Sequence, residues 1–127
     1  MYLDTDIILA IIKKEDWLKK YVSFKKIKSP KTSVLNVLEA RLVLVREYSR
    51  KDAIDAFKKI KEKRIQILEI DEKIIKKSQE LMEKYSSLNM FDAVHAASAI
   101  INNEVLLSTD SVFDLIQEVN KADPRRF

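Results

Sequence analysis

Met1-Tyr2-Leu3-Asp4-Thr5-Asp6-Ile7-Ile8-Leu9-Ala10-Ile11-Ile12 opens the chain with a three-residue apolar stub, stops it at an acid, and then runs into an apolar segment that Lys13 and Lys14 close. This pattern predicts a short strand followed by a helix. The handover recurs further along. Residues 65–70, Ile-Gln-Ile-Leu-Glu-Ile, alternate as a strand does, and Asp71 is placed to cap a helix running to about residue 85. Val105-Leu106-Leu107-Ser108-Thr109 reads as a buried strand that ends at Asp110, with a last helix over about 112–120. The segments between these are helical. A piece over 16–24 is broken by Lys28-Ser29-Pro30, because proline disfavours helix in the residue before it. Thr32 or Ser33 can cap a helix over 34–48, in which Leu35, Leu38, Leu42 and Val45 recur at helical spacing as a core stripe. Residues 51–62 repeat the period with Ala53, Ala56, Phe57 and Ile60, and an Ala-rich helix covers 91–101. Strands separated by helices imply right-handed crossovers and a parallel sheet covered on both faces. The expected fold is therefore α/β, a three-layer α/β/α sandwich with a central parallel sheet.

One domain over residues 1–127 is expected, since the length suits a single core and no Pro/Gly/Ser linker or repeat divides the chain. Hydrophobic residues make up 46% and charged residues 35%, a globular balance, and the apolar run over 7–12 is too short to span a bilayer. The opening residues lack the cationic, apolar and small-residue regions of a secretory signal, so a cytoplasmic location is expected. Zero cysteines remove thiol nucleophiles and thiolate metal sites, and a single histidine cannot build a His-rich zinc centre. Zero glycines remove the phosphate-cradling Walker loop and the dinucleotide fingerprint. A net charge of +4 leans toward a polyanionic partner, yet Lys plus Arg (24) nearly balance Asp plus Glu (20), and a lysine-rich, heat-adapted composition gives the same bias. What remains in quantity is carboxylate.

No acid is convincing alone. Asp4 and Asp6 flank a strand-to-helix turn, where Asp6 can simply cap a helix beginning at Ile7; Glu39 lies at the edge of an apolar stripe; Asp92 sits three residues after Asn89 in a first helical turn; Asp110 follows a strand and Asp114 suits a solvated helix. Their joint placement says more. Asp4 and Asp110 both fall at strand C-termini, where parallel sheets form ligand crevices. Gathered carboxylates stay ionised only if a cation neutralises them, and oxygen-only ligation selects Mg²⁺ or Mn²⁺. Mg²⁺ keeps waters and binds through a few carboxylates plus substrate phosphate, which predicts phosphodiester hydrolysis.

Four segments, in order, carry a family resemblance: Tyr2-Leu3-Asp4-Thr5-Asp6, Glu39 in its helix, Asn89-Met90-Phe91-Asp92-Ala93-Val94-His95-Ala96-Ala97, and Leu107-Ser108-Thr109-Asp110-Ser111-Val112-Phe113-Asp114. Together they resemble PIN domains over nearly the whole chain. The resemblance implies a magnesium- or manganese-dependent endoribonuclease, often a VapC-like toxin of a toxin–antitoxin pair, often a homodimer. It makes Asp4, Glu39, Asp92 and Asp110 the catalytic, metal-binding acids and Asp114 a fifth ligand. Asp6 and Thr109 become residues that orient the ligands, with Asp6 standing where the family often has Asn. His95, one turn from Asp92, is read as packed and hydrogen-bonded rather than in contact with substrate.

RNA, single-stranded or looped, is the expected substrate, with Lys25-Lys26 and Lys28, Lys58-Lys59 and Lys61, and Arg125-Arg126 available to its backbone. An antitoxin protein is the expected partner. Two other readings stand beside this one: a PIN-like subunit that holds RNA without cleaving it, and a phosphatase of the haloacid dehalogenase type, in which Asp4 of Asp4-Thr5-Asp6 is a covalent nucleophile.

Overall fold

Five short strands lie side by side, all parallel, in the order β3-β2-β1-β4-β5: β1 Tyr2–Leu3, β2 Lys31–Ser33, β3 Gln66–Leu68, β4 Leu106–Leu107 and β5 Lys121–Ala122. This computed structural model describes residues 1–126; Phe127, the last residue of the basic tail, lies outside them. Helices α1 Thr5–Ile12, α2 Val34–Glu47, α3 Arg50–Glu62, α4 Glu72–Lys84 and α5 Met90–Ile101 connect the strands. In a strand successive side chains point to opposite faces, and the two central strands obey this. Leu3 and Leu107, paired in register, pack with α1, α2 and α3 through Ile7, Ile8, Ala40 and Ile60. Tyr2 and Leu106, the preceding pair, pack with α4 and α5 through Leu81, Ala93 and Ala97. The sheet is therefore covered on both faces, and the expected three-layer sandwich is the observed one.

Each of the five helices begins at a side chain that accepts a backbone N–H: Asp4 from Thr5, Ser33 from Asn36, Ser49 from Asp52, Asp71 from Ile74 and Asn89 from Asp92. Such caps are worth about 1 kcal/mol apiece. They also fix where strands end, which places the acids that follow. The first helix starts at Thr5, two residues earlier than an Asp6 cap predicts, because Asp4 takes that role. Among the described residues no helix is long and apolar enough to cross a membrane.

The structure corrects the sequence reading at five places. Residues 16–24 form turns ending in a short 3-10 helix, Phe24–Lys26, rather than an α-helix. Asp16 takes the N–H of Leu18 onto its own carboxylate at 2.9 Å, and Lys19 folds back to donate to the carbonyls of Ala10 and Lys13. Lys31-Thr32-Ser33 forms an additional strand, its buried Thr32 hydroxyl donating to the carbonyl of Leu3 at 3.0 Å. Instead of a helix over 112–120 there is a 3-10 helix, Ser111–Leu115, followed by β5. Its buried Phe113 and the buried Ile116 that follows its last residue are three apart, the 3-10 period. In α3, Ala53, Ala56 and Ile60 are buried but Phe57 is 47% exposed.

The fifth correction concerns α2. The stripe Leu38, Leu42 and Val45 is 54%, 60% and 52% exposed, while Val37, Ala40 and Leu44 face the core. The cause lies at the helix start. Ser33 and Asn36 form a reciprocal capping box, and both also bond the hydroxyl of buried Tyr2. With Asn36 drawn to the sheet, the residues one and four further on follow it inward. Truncation should expose this rotation: Leu44→Ala should cost about 2–4 kcal/mol in urea unfolding, whereas Leu42→Ala should cost under about 1 kcal/mol. Equal losses would contradict the assignment.

Candidate active site

The sheet order reverses direction at β1. Chain passing from β1 to β2 and β3 moves one way, and β4 returns to the other side of β1. At such a switch point the connections leave in opposite directions and open a crevice beyond the strand C-termini. Asp4 follows β1 there, and Ser108, Thr109 and Asp110 follow β4.

Asp4 is buried, 9% exposed, with one oxygen accepting the N–H of Thr5 at 2.8 Å and the other the hydroxyl of Ser108 at 2.7 Å. Ser108 in turn accepts the backbone N–H of Asp110 at 3.0 Å, so one hydroxyl ties the Asp4 carboxylate to the main chain that carries Asp110. Burial pushes the Asp4 carboxyl up to about 6 against the lowering effect of His95; the charge of Asp6 adds to the rise, and the Ser108 and Thr5 hydrogen bonds offset part of it. Asp6, in the first turn of α1, accepts from both the N–H and the hydroxyl of Thr109, at 3.0 and 2.5 Å. These bonds tie α1 to the end of β4 and give Asp6 and Thr109 a holding role. The Thr109 hydroxyl is committed to Asp6.

Glu39 reaches the same place from α2. One of its oxygens accepts the Thr5 hydroxyl at 3.0 Å and is hydrogen-bonded to Nε2 of His95. Burial works to raise its pKa, but the His95 hydrogen bond and charge, with the Thr5 hydroxyl, outweigh it and the net direction is down. Asp92 lies half-buried in the first turn of α5, where Asn89 rather than Asp92 provides the cap. Burial raises its pKa, and the charges of Asp110 and Glu39 add to the rise while His95 opposes them. Burial disfavours the charged form of His95, yet its bond to Glu39 and the charges of Asp4, Glu39 and Asp92 outweigh that and raise its pKa. The four acids thus share one electrostatic neighbourhood. Asp114 is exposed, paired with Lys121 at 3.0 Å, and lines a pocket with Thr109 and Ser111.

A divalent cation tests whether this set fits. The donors are carboxylate oxygens, which suit Mg²⁺ or Mn²⁺, and the raised Asp4 and Asp92 carboxyls are groups whose ionisation a bound cation would favour. Among the described residues no three acids or imidazoles are placed to close on one ion. The fit is therefore one of donor chemistry: the set is all oxygen, and Mg²⁺ can reach some ligands through retained water.

The PIN domain family profile matches residues 1–119. The chain belongs to the PIN domain family. Comparison with curated proteins finds no match. Solved structures similar to it include the Mycobacterium tuberculosis toxin VapC20, a sarcin-ricin loop cleaving toxin, at 14% identity and TM-score 0.79, covering 94% of this chain and 96% of that one. VapBC-1 from nontypeable Haemophilus influenzae is similar at 20% identity and TM-score 0.74, covering 97% and 96%. VapBC2 from Rickettsia felis, bound to a DNA fragment from its promoter, is similar at 18% identity and TM-score 0.74, covering 96% of both chains. At these identities the likeness is one of fold.

Several residues at this PIN-domain site escaped the sequence reading. Ser108 and Thr5 hold Asp4 and Glu39, and Tyr2 and Asn36 hold His95 and Thr5. A polar residue inside an apolar strand run is the signal that marks Ser108; Tyr2 reads as an ordinary core aromatic. His95 is packed and hydrogen-bonded as expected, and it contacts Glu39.

The raised pKa of Asp4 has a consequence for stability. With the folded-state pKa above its ordinary 3.8, the native protein binds more protons than the unfolded chain between about pH 4 and 6, so stability from this group falls as pH rises through that window. In EDTA, Asp4→Asn should therefore stabilise the protein at pH 7.5 by up to about 3 kcal/mol and change it little at pH 4. Urea unfolding at both values checks this, and a loss at pH 7.5 would contradict it.

Proposed function

We propose that this PIN domain is a metal-dependent endoribonuclease that hydrolyses RNA phosphodiester bonds and serves as the toxin of a toxin–antitoxin pair. The observation that supports it most is the placing of Asp4 and Asp110 at the two strand ends of the switch point, where Ser108 bonds the Asp4 carboxylate and the Asp110 backbone N–H, with Glu39 and Asp92 in the same field. Asp4, Glu39, Asp92 and Asp110 would hold one or two Mg²⁺ or Mn²⁺ ions. A cation there supplies an activated water and charge neutralisation for in-line attack on phosphate. The chain's own groups do the positioning: Ser108 and the N–H of Thr5 fix Asp4, while Thr5 and His95 fix Glu39. Beside the rim lies a pocket lined by Thr109, Ser111, Lys121 and Arg125, whose cations are paired with Asp114 and Asp123 of the same wall; RNA phosphate would have to compete with those carboxylates for them. Arg125 Nη2 donates to the carbonyl of Thr109, which brings the tail to the end of β4.

An antitoxin is the proposed occupant of the exposed apolar groove between α2 and α3, lined by Leu38, Leu42, Val45 and Ile54. Arg41 and Arg50 flank it and have no carboxylate partner among the described residues, so an amphipathic helix carrying acids complements it. The VapBC neighbours support that choice. A homodimer in a cytoplasmic setting belongs to the same proposal, and sedimentation velocity of the purified protein should give about twice the 14.8 kDa of one chain.

The phosphatase reading is disfavoured by Asp4 itself. Both its oxygens accept hydrogen bonds and it is buried, which is a poor state for a nucleophile. Incubation of wild type with structured RNA in Mg²⁺ or Mn²⁺ should give cleavage that EDTA abolishes and Asp92→Asn lowers about 100-fold or more. Equal cleavage in all three would point to contamination and sink the proposal; RNA retained but never cut would favour the holding subunit.

A further inference from the structure

Five side chains from four elements close a ring of hydrogen bonds beneath the site. Asn36 Nδ2 donates to the Thr5 hydroxyl at 3.0 Å, and Thr5 donates to Glu39 Oε1 at 3.0 Å. Glu39 Oε1 also meets His95 Nε2; His95 Nδ1 lies 3.0 Å from the Tyr2 hydroxyl, which returns to Asn36 Oδ1 at 2.5 Å. Tyr2 and Asn36 are fully buried and His95 is 2% exposed, so water does not compete for these bonds. Glu39 is different: its side chain is 29% exposed, on a helix whose outer face meets solvent. A glutamate in that position is free to sample several rotamers, and holding it in one has an entropic cost.

The ring removes that freedom in an asymmetric way. Both donors converge on Oε1, so Oε2 has no protein donor among the described residues. The direction of the bonds is fixed by chemistry: the Asn36 amide can only donate through Nδ2, which commits the Thr5 hydroxyl proton to Glu39. His95 sits one turn beyond Asp92 on α5, so the same residue that anchors Glu39 is carried by the helix that presents a second acid.

The geometry points to His95, braced by Tyr2, as a positioning residue for the metal site: it clamps one oxygen of Glu39 and leaves the other as the ligand. This rests on the reading of Glu39 as a metal-binding acid. Its partners act through Glu39 and touch no substrate.

Binding of Mn²⁺ alone, followed by calorimetry or by the spin-resonance signal of the free ion, separates this role from plain packing. His95→Ala should weaken Mn²⁺ binding about 10–100-fold, the usual effect of removing a residue that orients a ligand. His95→Gln, whose amide N–H can still reach Glu39, should recover most of that loss, and Tyr2→Phe should weaken binding in the same direction by less. Leu81→Ala, a buried change in the same core layer, should lower the melting temperature without moving Mn²⁺ affinity. Wild-type affinity in folded His95→Ala overturns the proposal, as does equal weakening in Leu81→Ala. Should His95→Ala fail to fold, Gln must retain affinity and Tyr2→Phe must lose it, or the proposal falls. A wild-type protein that takes up no Mn²⁺, or binds it equally well as Asp4→Asn, overturns the metal-site reading itself, and this inference with it.

Discussion

The carboxylate of Asp4 is held inside the protein at the end of the central strand, between the N–H of Thr5 and the hydroxyl of Ser108. A buried carboxyl with few donors resists ionisation, and this one sits beside Asp6 with its pKa raised to about 6. Such a group persists in a fold only where the surrounding structure compels it. Here the compulsion is topological. Tyr2 and Leu3 must pair with Leu106 and Leu107 to seal both cores, and that register delivers Asp4 and Ser108 to the same level of the sheet.

Once the two strand ends are joined, the remaining side chains have little choice. Thr5 caps nothing but reaches across to Glu39; Asp6 turns to Thr109; Asp110 leans on Ser108 and caps the next 3-10 helix. Helix α2 is rotated by its own cap, with Asn36 bonded to the Tyr2 hydroxyl, and this places Glu39 toward the crevice while leaving Leu38, Leu42 and Val45 outside. The interaction that shapes the candidate site therefore also leaves the apolar groove on the adjoining face of the same helix. Candidate site and exposed apolar groove are two outcomes of one helix rotation.

How much of this the sequence carries differs by element. β1, β3 and β4 are legible because their apolar or alternating runs are bounded by acids that start helices. β2 is not, since Lys31-Thr32-Ser33 is polar and earns its buried place only through a hydroxyl bond to Leu3. β5 is two residues of mixed character, and Ser111–Leu115 uses a three-residue period that a helical pattern absorbs. In α2 two apolar faces compete, and the larger one lost because Ala40 is small enough to sit against the sheet and Asn36 is bonded to it. Four acids were visible as candidates from their positions at strand ends and helix starts. The ring through Tyr2, Asn36, Thr5 and His95 was not, because its members lie up to 93 positions apart and each reads locally as core or cap.

The proposed function requires a cation that would draw the four acids together at the switch point. The most direct check is a crystal of the protein soaked in Mn²⁺, with data collected for the anomalous signal of the metal. The account predicts a peak beyond the ends of β1 and β4, within ligating or water-bridged reach of Asp4 and Asp110 and lost in Asp4→Asn. Full Mn²⁺ exposure with no peak there, or a peak held elsewhere on the surface, would contradict it.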